Sequence, residues 1–274
     1  MIPLRDNIPS RTTPFVNYAV IAACTFVFLT QLSERGARDD LVGRYGMVPA
    51  RVMKPGQPID VTVVDYVRTI RGLVQRKSIH RLPSPPVHPW LTLVTCIFLH
   101  GGWMHFLGNM WILYIFGDNV EDRFGHLGYA LFYIGCGIAA SAAHLLANMD
   151  SIVPTIGASG AIAGVMGAYF LLYPRAKVLT VLPIFFFLQL IVLPAPIFLG
   201  IWVLIQFYQG TFAILSTQAT GVAWWAHIGG FVAGLLIALQ LKGWGKLRLV
   251  VDRVLPGTRR STTYRVRRGK SPWS

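Results

Sequence analysis

This sequence contains few charged residues. Asp, Glu, Lys and Arg make up 13% of its 274 residues, whereas a soluble domain carries about 25%. Charged residues are completely absent from three long stretches, 127–149, 151–174 and 178–241. Stretches of this length without charge indicate several membrane spans, so we predict a multi-pass membrane protein. A soluble protein with one very large core is the weaker alternative.

The sequence is also poor in the residues that build disulfide frameworks and metal sites. Cys24, Cys96 and Cys136 lie in apolar surroundings with no repeated spacing, which indicates neither disulfides nor a zinc cluster. The helical zinc motif His-Glu-x-x-His is missing, so we expect no metal site of that type. Gly117-Asp118 resembles half of an aspartyl protease motif, but no second intramembrane acid can pair with it.

Six apolar segments are predicted to span the bilayer as helices. They cover approximately residues 15–32, 103–116, 127–146, 159–173, 195–213 and 224–241. Residues 178–193 are expected to be interfacial or partly inserted, which leaves a seventh span as an alternative, and 117–126 are expected to form a turn. The predicted organisation is therefore an N-terminal tail, a six-span domain with a long first loop, and a basic C-terminal tail. These parts cover residues 1–13, 14–242 (with the loop at 33–98) and 243–274.

The distribution of basic residues predicts the orientation of the spans. The residues after Leu241 include ten Lys or Arg and one acid, and the short segment 174–177 holds two more basic residues. The opposite turns, 147–158 and 214–222, hold none, so both termini are predicted to face the cytoplasm. This topology explains most of the net charge of +14. The basic tail is expected to be solvated, and contact with anionic lipid is the alternative. Nucleic-acid binding is not expected because no recognisable fold surrounds the tail.

Three short polar segments stand within the apolar sequence, at residues 100–109, 157–160 and 226–230. Polar residues are costly in a bilayer and usually mark function there. The candidate residues in these segments are Ser159, His227, His105, Asn109 and His100. A Ser–His pair activates a hydroxyl as a nucleophile, and other side chains can donate hydrogen bonds to an oxyanion. The combination suits acyl-transfer chemistry inside a membrane.

Ser159 begins a short predicted span. A serine at a helix start is most often an N-cap, which is the alternative for Ser159 taken alone. The span 159–173 is roughly 22 Å long, whereas the hydrocarbon core is about 30 Å thick, so Ser159 is expected below the outer membrane surface. Irregular backbone at that depth requires surrounding protein or a water cavity, which favours a protected active site.

Small residues predict how the serine and histidine spans pack. The relevant glycines are Gly157, Gly160, Gly164, Gly230 and Gly234. Spacings of four within the fourth and last spans let helix backbones approach closely. His227 lies three residues from one of these glycines, so close packing would bring it towards Ser159. No acid is placed to orient His227, so the sequence predicts a Ser–His dyad. The alternative for this histidine is a structural hydrogen bond between helices.

His105 and Asn109 are four residues apart and share one helical face. Both can donate hydrogen bonds, as an oxyanion requires. His100 lies just before this span and could approach the site from outside. The alternatives are an interhelical hydrogen bond for Asn109 and a structural hydrogen bond for His100, and for His100 the two roles are equally supported.

The ordered set of motifs resembles the rhomboid family of intramembrane serine proteases over roughly residues 90–242. The matching motifs are His100-x4-His105-x3-Asn109, Gly157-Ala158-Ser159-Gly160 and Ala226-His227-Ile-Gly-Gly230. The segment Gly117-Asp118-Asn119-Val-Glu-Asp-Arg123 is typical of bacterial members, which indicates a bacterial plasma membrane. Loop 33–98 is longer than the first loop of compact bacterial members.

The resemblance implies an all-α, six-helix membrane bundle with Ser159 as nucleophile and His227 as general base. It implies an oxyanion hole formed by His105, Asn109 and the backbone N–H of Ser159. Substrates would be single-span membrane proteins, cut in or near the span, and no metal or organic cofactor is implied. An inactive rhomboid-like protein that binds membrane clients is the second hypothesis, although such relatives usually lack the serine or the histidine. A transporter or channel is the third, but the polar residues cluster in the outer half.

Overall fold

The chain is mostly helical in a computed structural model that describes residues 1–33, 41–69, 72–184, 187–215 and 223–245. The helices are α1 (Phe15–Ser33), α2 (Leu41–Tyr45), α3 (Pro49–Met53), α4 (Thr92–Thr95), α5 (Trp103–Phe124), α6 (His126–Ala147), α7 (Ser159–Leu172), α8 (Ala195–Leu215) and α9 (Trp224–Gly243). The strands are β1 (Ile2–Asp6), β2 (Asp60–Thr69), β3 (Gly72–Arg81), β4 (Lys177–Ile184) and β5 (Phe187–Pro194). Short 3₁₀ turns, Pro89–Leu91 and Cys96–Phe98, flank α4.

Each apolar segment predicted as a span is helical. Within the described residues, α1, α6 and α9 are long and apolar enough to cross a membrane. The pair Pro89–Phe98 and Trp103–Phe124, bent by 80°, adds a fourth span if it is taken as one, and the helices Ser159–Leu172 and Ala195–Gln209 are apolar but shorter. The predicted all-α membrane fold is therefore confirmed, and the chain is a multi-pass membrane protein.

Helix α7 lies at the centre of the bundle. It is apolar on every side and most of its residues are buried, as expected for a helix that is surrounded by protein. It contacts α5, α6, α8 and α9. Ser159, the first residue of α7, is therefore held among other helices.

Helices α7 and α9 meet backbone to backbone. A Cβ atom added to Gly230 would lie 2.0 Å from the carbonyl oxygen of Gly160, and one added to Gly234 would lie 2.0 Å from that of Gly164. No side chain fits into such a gap, so glycine is required at both positions on α9. The contacts advance in the same direction along both helices, so α7 and α9 run parallel and their first turns lie side by side.

The prediction of a turn at residues 117–126 is wrong for most of these residues. Helix α5 continues to Phe124, and only Gly125, with φ of 69°, separates it from α6. The acids that end the apolar stretch bind backbone N–H groups of the N-terminal part of the chain. Glu121 accepts from Asn17 N at 2.7 Å, and Asp122 accepts from residues that precede α1. The charges therefore end the apolar stretch without ending the helix.

Two β-hairpins accompany the helices, and the sequence analysis did not predict them. Strand β1 lies within the segment described above as an N-terminal tail and pairs antiparallel with β4, which pairs in turn with β5. The segment 178–193, expected to be interfacial or partly inserted, mainly forms this β4–β5 hairpin. Its β-branched residues favour extended backbone.

The first loop, 33–98, contains α2, α3 and the β2–β3 hairpin. It is joined to the segment before α7 by a pair of backbone hydrogen bonds between Met47 and Thr155, at 3.1 and 2.8 Å. This contact attaches the loop to Thr155, which precedes Ser159 by four residues in the sequence. The predicted C-terminal tail lies outside the described residues from position 246 onwards.

Candidate active site

Ser159 is positioned by the start of α7. The N-cap residue is Ala158, and no side chain caps the helix, so the N-cap interpretation of Ser159 is not what the structure has. Its Oγ instead lies 2.8 Å from Nε2 of His227. The serine hydroxyl is thus hydrogen-bonded to an imidazole on a neighbouring helix.

His227 lies in the first turn of α9, and both of its ring nitrogens are engaged. Its Nδ1 is 2.7 Å from Oε1 of Gln206 on α8. An amide oxygen can only accept, so Nδ1 carries the proton and Nε2 is left as the acceptor for the Ser159 hydroxyl. Rings of Trp202 and Trp224 flank the imidazole, with centroids 5.8 and 6.2 Å away. The histidine is held in the tautomer that a general base needs.

Gln206 is the functional candidate that the sequence analysis missed. Only 7% of its surface is exposed, and its amide oxygen takes the position that an acid occupies in a triad. The sequence feature that could have indicated Gln206 is an amide side chain in a helix without charged residues, because polar side chains inside membranes usually form hydrogen bonds and often mark function. No acid was expected to orient His227, and an amide partner was not predicted.

His105 lies across Gly157 from the serine. Its Nδ1 accepts a hydrogen bond from the backbone N–H of Gly101 at 3.3 Å, which leaves the proton on Nε2. A Cβ atom at Gly157 would lie 2.7 Å from His105 Nε2 and 3.6 Å from Ser159 Oγ. Gly157 also has φ of 126°, which other residues rarely adopt. It belongs to the loop beside the serine, and the other four predicted glycines lie in α7 and α9.

Asn109 follows one turn after His105 on α5 and is buried, with 8% of its surface exposed. Its Nδ2 is buried, and no hydrogen-bond acceptor for it is present among the described residues. Buried polar groups are normally satisfied, so an unsatisfied donor suggests a functional role. The amide is thus available to a group that develops negative charge.

His100 lies behind His105. It is 2% exposed, and its ring contacts the rings of Phe28, His105 and Phe106, with a centroid distance of 5.4 Å to His105. Its backbone is held by Gln31, which accepts from the His100 N–H at 3.0 Å and donates to its carbonyl at 3.1 Å. The ring is therefore in contact with His105 and packed within the protein, and an approach from outside the bundle is not what the structure has.

The arrangement contains the parts required for acyl transfer without a metal ligand set. Among the described residues, no group of three His, Cys, Asp or Glu side chains could hold a metal ion. The serine hydroxyl and its histidine acceptor have the geometry of a nucleophile–base pair. The His105 Nε2–H and the Asn109 amide come from the same face of α5, as two donors to one oxyanion would.

Comparisons with known proteins identify the family. The rhomboid domain profile matches residues 87–243, which is more than half of the chain. Over 106 residues the chain is 32% identical to the chloroplastic rhomboid-like protein 11 of Arabidopsis thaliana, covering 39% of this chain and 36% of that protein. Over 157 residues it is 30% identical to the mitochondrial rhomboid protein 1 of Saccharomyces cerevisiae, covering 53% and 40% of the two chains.

A bacterial relative also matches. The protein YdcA of Bacillus subtilis is 35% identical over 81 residues, which are 29% of this chain and 40% of YdcA. The chain spans less than half the length of each of these relatives. The profile match over 87–243 confirms the resemblance drawn from the three motifs: this chain belongs to the rhomboid family.

Proposed function

We propose that this chain is an intramembrane serine endopeptidase that cleaves single-span membrane proteins in or near their transmembrane segment. Ser159 is the nucleophile and His227 is the general base of a Ser–His dyad. The 2.8 Å hydrogen bond between Ser159 Oγ and His227 Nε2 carries the proposal. Family membership supports a protease, and the bond joins two helices in mostly apolar sequence, where an unused polar pair would be costly.

The first half of the reaction forms an acyl-enzyme. Ser159 Oγ attacks the carbonyl carbon of the scissile peptide while its proton moves to His227 Nε2. The oxyanion of the tetrahedral intermediate accepts hydrogen bonds from His105 Nε2–H, Asn109 Nδ2–H and the backbone N–H of Ser159. The intermediate then collapses, and His227 returns the proton to the leaving amine.

The second half releases the product. A water molecule attacks the ester carbonyl as His227 Nε2 takes its proton, and the same donors hold the second oxyanion. Collapse returns the proton to Ser159 Oγ and frees the new carboxyl end. Gln206 keeps Nδ1 protonated and the ring oriented throughout, and it also stabilises the imidazolium that forms at each transfer.

The substrate must present an extended peptide bond to the dyad. A helical peptide bond is hydrogen-bonded within the helix, so the cleaved segment must unwind before attack; we expect small, helix-destabilising residues there. The enzyme would lie in a bacterial plasma membrane with both termini in the cytoplasm and the dyad in the outer half. No metal or organic cofactor takes part in this scheme.

Ser159→Ala tests this function. Purified wild-type protein, reconstituted with a panel of tagged single-span proteins, should cut at least one of them, and Ser159→Ala should cut none because the nucleophile is gone. Ser141→Ala is the matched control, since Ser141 is a buried serine that donates to Leu93 O at 3.1 Å and lies outside the dyad. Undiminished cleavage by purified Ser159→Ala would exclude the proposal.

Asn109→Ala is expected to lower kcat by about 10- to 1000-fold, the loss typical of one oxyanion donor. KM should change little, because the bond is made in the transition state. Asn109→Asp preserves the shape but removes the N–H donor, so it should be similarly impaired. Steady-state cleavage assays measure both constants, and an unchanged kcat in either variant would remove Asn109 from the oxyanion hole.

Gln206→Leu is expected to lower kcat by about 10- to 100-fold, because one buried hydrogen bond to the base is lost. Gln206→Glu keeps an acceptor at the same position and should restore much of that loss. Gln209→Leu is the control, since Gln209 is an exposed residue on the same helix. If Gln206→Leu lowered the thermal midpoint as well as kcat, and Gln206→Glu did not restore kcat, Gln206 would have a structural role only.

The inactive client-binding protein is the second candidate function. Both the serine and the histidine are present and hydrogen-bonded to each other, which this function does not require. A folded wild-type protein that binds single-span proteins in crosslinking assays and cuts none of them would favour it.

A further inference from the structure

A cavity of about 290 Å³ lies at the end of the bundle opposite Ser159. Its walls come from the N-terminal segment that precedes α1, the end of α5 and the residues that follow α7. The residues relevant here are Asn7, Ser10, Arg11, Arg123, Tyr173 and Arg175. The 14 residues of α7 separate this cavity from the serine by roughly 21 Å. It is therefore distinct from the candidate active site.

The cavity is strongly basic. Arg11, Arg123 and Arg175 line it together with one acid, Asp122. The Asp122 carboxylate already accepts hydrogen bonds from Arg11 N at 2.6 Å and Thr12 N at 2.9 Å, and from the Thr12 hydroxyl. Its charge is thus directed to the backbone of the N-terminal segment.

The three guanidinium groups have no acidic partner in the part of the chain that the structure describes. Arg123 is held in position, because its Nε donates to Tyr173 Oη at 3.3 Å and its guanidinium carbon lies 5.6 Å from the centroid of the Tyr173 ring. Its two terminal nitrogens remain available. Arg11 and Arg175 are exposed at the mouth of the cavity. Three cations around one concave space favour a shared anion over isolated solvation.

We propose that this cavity binds a phosphate group through Arg11, Arg123 and Arg175. Planar guanidinium groups match the oxygens of a phosphate and can bind it in a bidentate manner. The ends of α5 and α7 place the cavity at the membrane boundary that is predicted to face the cytoplasm, where anionic lipid headgroups concentrate. The phosphate belongs to an anionic phospholipid or to a free phosphate compound. This binding is independent of the proposed peptidase activity.

Binding has a structural consequence that can be measured. The N-terminal segment forms one wall, while α5 and the segment after α7 form the others, so a bound phosphate ties these parts together. A ligand that binds only the folded protein raises its stability in proportion to the logarithm of ligand concentration. The thermal midpoint therefore reports occupancy without a cleavage assay.

The test uses the full chain in a neutral detergent. Midpoints are measured with added phosphatidylglycerol, with phosphatidylcholine, and with sodium phosphate against sodium chloride at equal ionic strength. The double variant Arg11→Gln/Arg175→Gln removes two cations of the cavity from exposed positions. Its matched control, Lys54→Gln/Lys242→Gln, removes the same charge elsewhere.

We expect phosphatidylglycerol to raise the midpoint by several degrees and phosphatidylcholine to leave it unchanged. The double variant should need at least tenfold more phosphatidylglycerol for the same rise, while the control should behave as wild type. A rise with sodium phosphate that the double variant also loses would support the same site and identify a free phosphate as its ligand. No rise with either anion, or an equal loss in the double variant and the control, would overturn the proposal.

Discussion

Replacing His227 by alanine is expected to lower kcat on the order of 10⁴- to 10⁶-fold, about as much as removing the serine. The hydroxyl of Ser159 is a weak nucleophile until a base takes its proton, and His227 Nε2, at 2.8 Å, is the acceptor present. Because the two residues act as one unit, a variant that lacks both should be no worse than either single variant. Cleavage of a reconstituted single-span substrate under single-turnover conditions measures this.

The control for this prediction is His88→Ala, which removes an exposed histidine in the first loop. It should leave kcat unchanged, which separates the loss of the base from the general effect of deleting an imidazole. If His227→Ala cleaved at more than about a tenth of the wild-type rate in folded protein, another group would be activating Ser159. The dyad would then be wrong, even with Ser159 as the nucleophile.

Gly230→Ala is expected to destabilise the protein by about 1–3 kcal/mol or more and to abolish cleavage. The added methyl carbon would lie 2.0 Å from the carbonyl oxygen of Gly160, so α9 must move away from α7. His227 lies one turn before Gly230 on the same helix, so this movement breaks its hydrogen bond to Ser159. Thermal unfolding and the cleavage assay should show both losses together.

The matched control is Gly135→Ala on α6, where an added Cβ atom meets nothing within 4 Å. Alanine stabilises an open helical position relative to glycine by about 0.5–1 kcal/mol. The two glycine variants should therefore shift the thermal midpoint in opposite directions. Equal shifts for Gly230→Ala and Gly135→Ala would contradict the backbone contact between α7 and α9.

The helical membrane fold was readable from the sequence because charge is expensive in a bilayer and its absence defines the long helices. The same criterion failed at residues 117–124, since Glu121 and Asp122 are satisfied by the N-terminal part of the chain and helix α5 continues. The β4–β5 hairpin was missed for a related reason. An apolar segment with prolines fits an interfacial strand as well as a helix, and only its pairing with β1 settles the difference.

In the candidate site, residue types and spacing were sufficient to single out Ser159, His227 and the two possible donors on α5. Residue spacing cannot reveal contacts between helices that are far apart in the sequence. Gln206 on α8 was therefore not predicted, although its Oε1 lies 2.7 Å from Nδ1 of His227. The position of His100 depended on packing as well. Its ring is enclosed by Phe28 and Phe106, whose positions come from the fold of α1 on α5.

A fluorophosphonate probe tests the activation of Ser159 most directly, because it reacts preferentially with a serine whose hydroxyl is activated by a base. Detergent-purified wild type, Ser159→Ala and His227→Ala are treated with the probe side by side, and folding is verified for each. We expect labelling of wild type alone, with the modified peptide containing Ser159. Folded wild-type protein that remains unlabelled, or labelling that persists in His227→Ala, would contradict a serine nucleophile activated by that histidine.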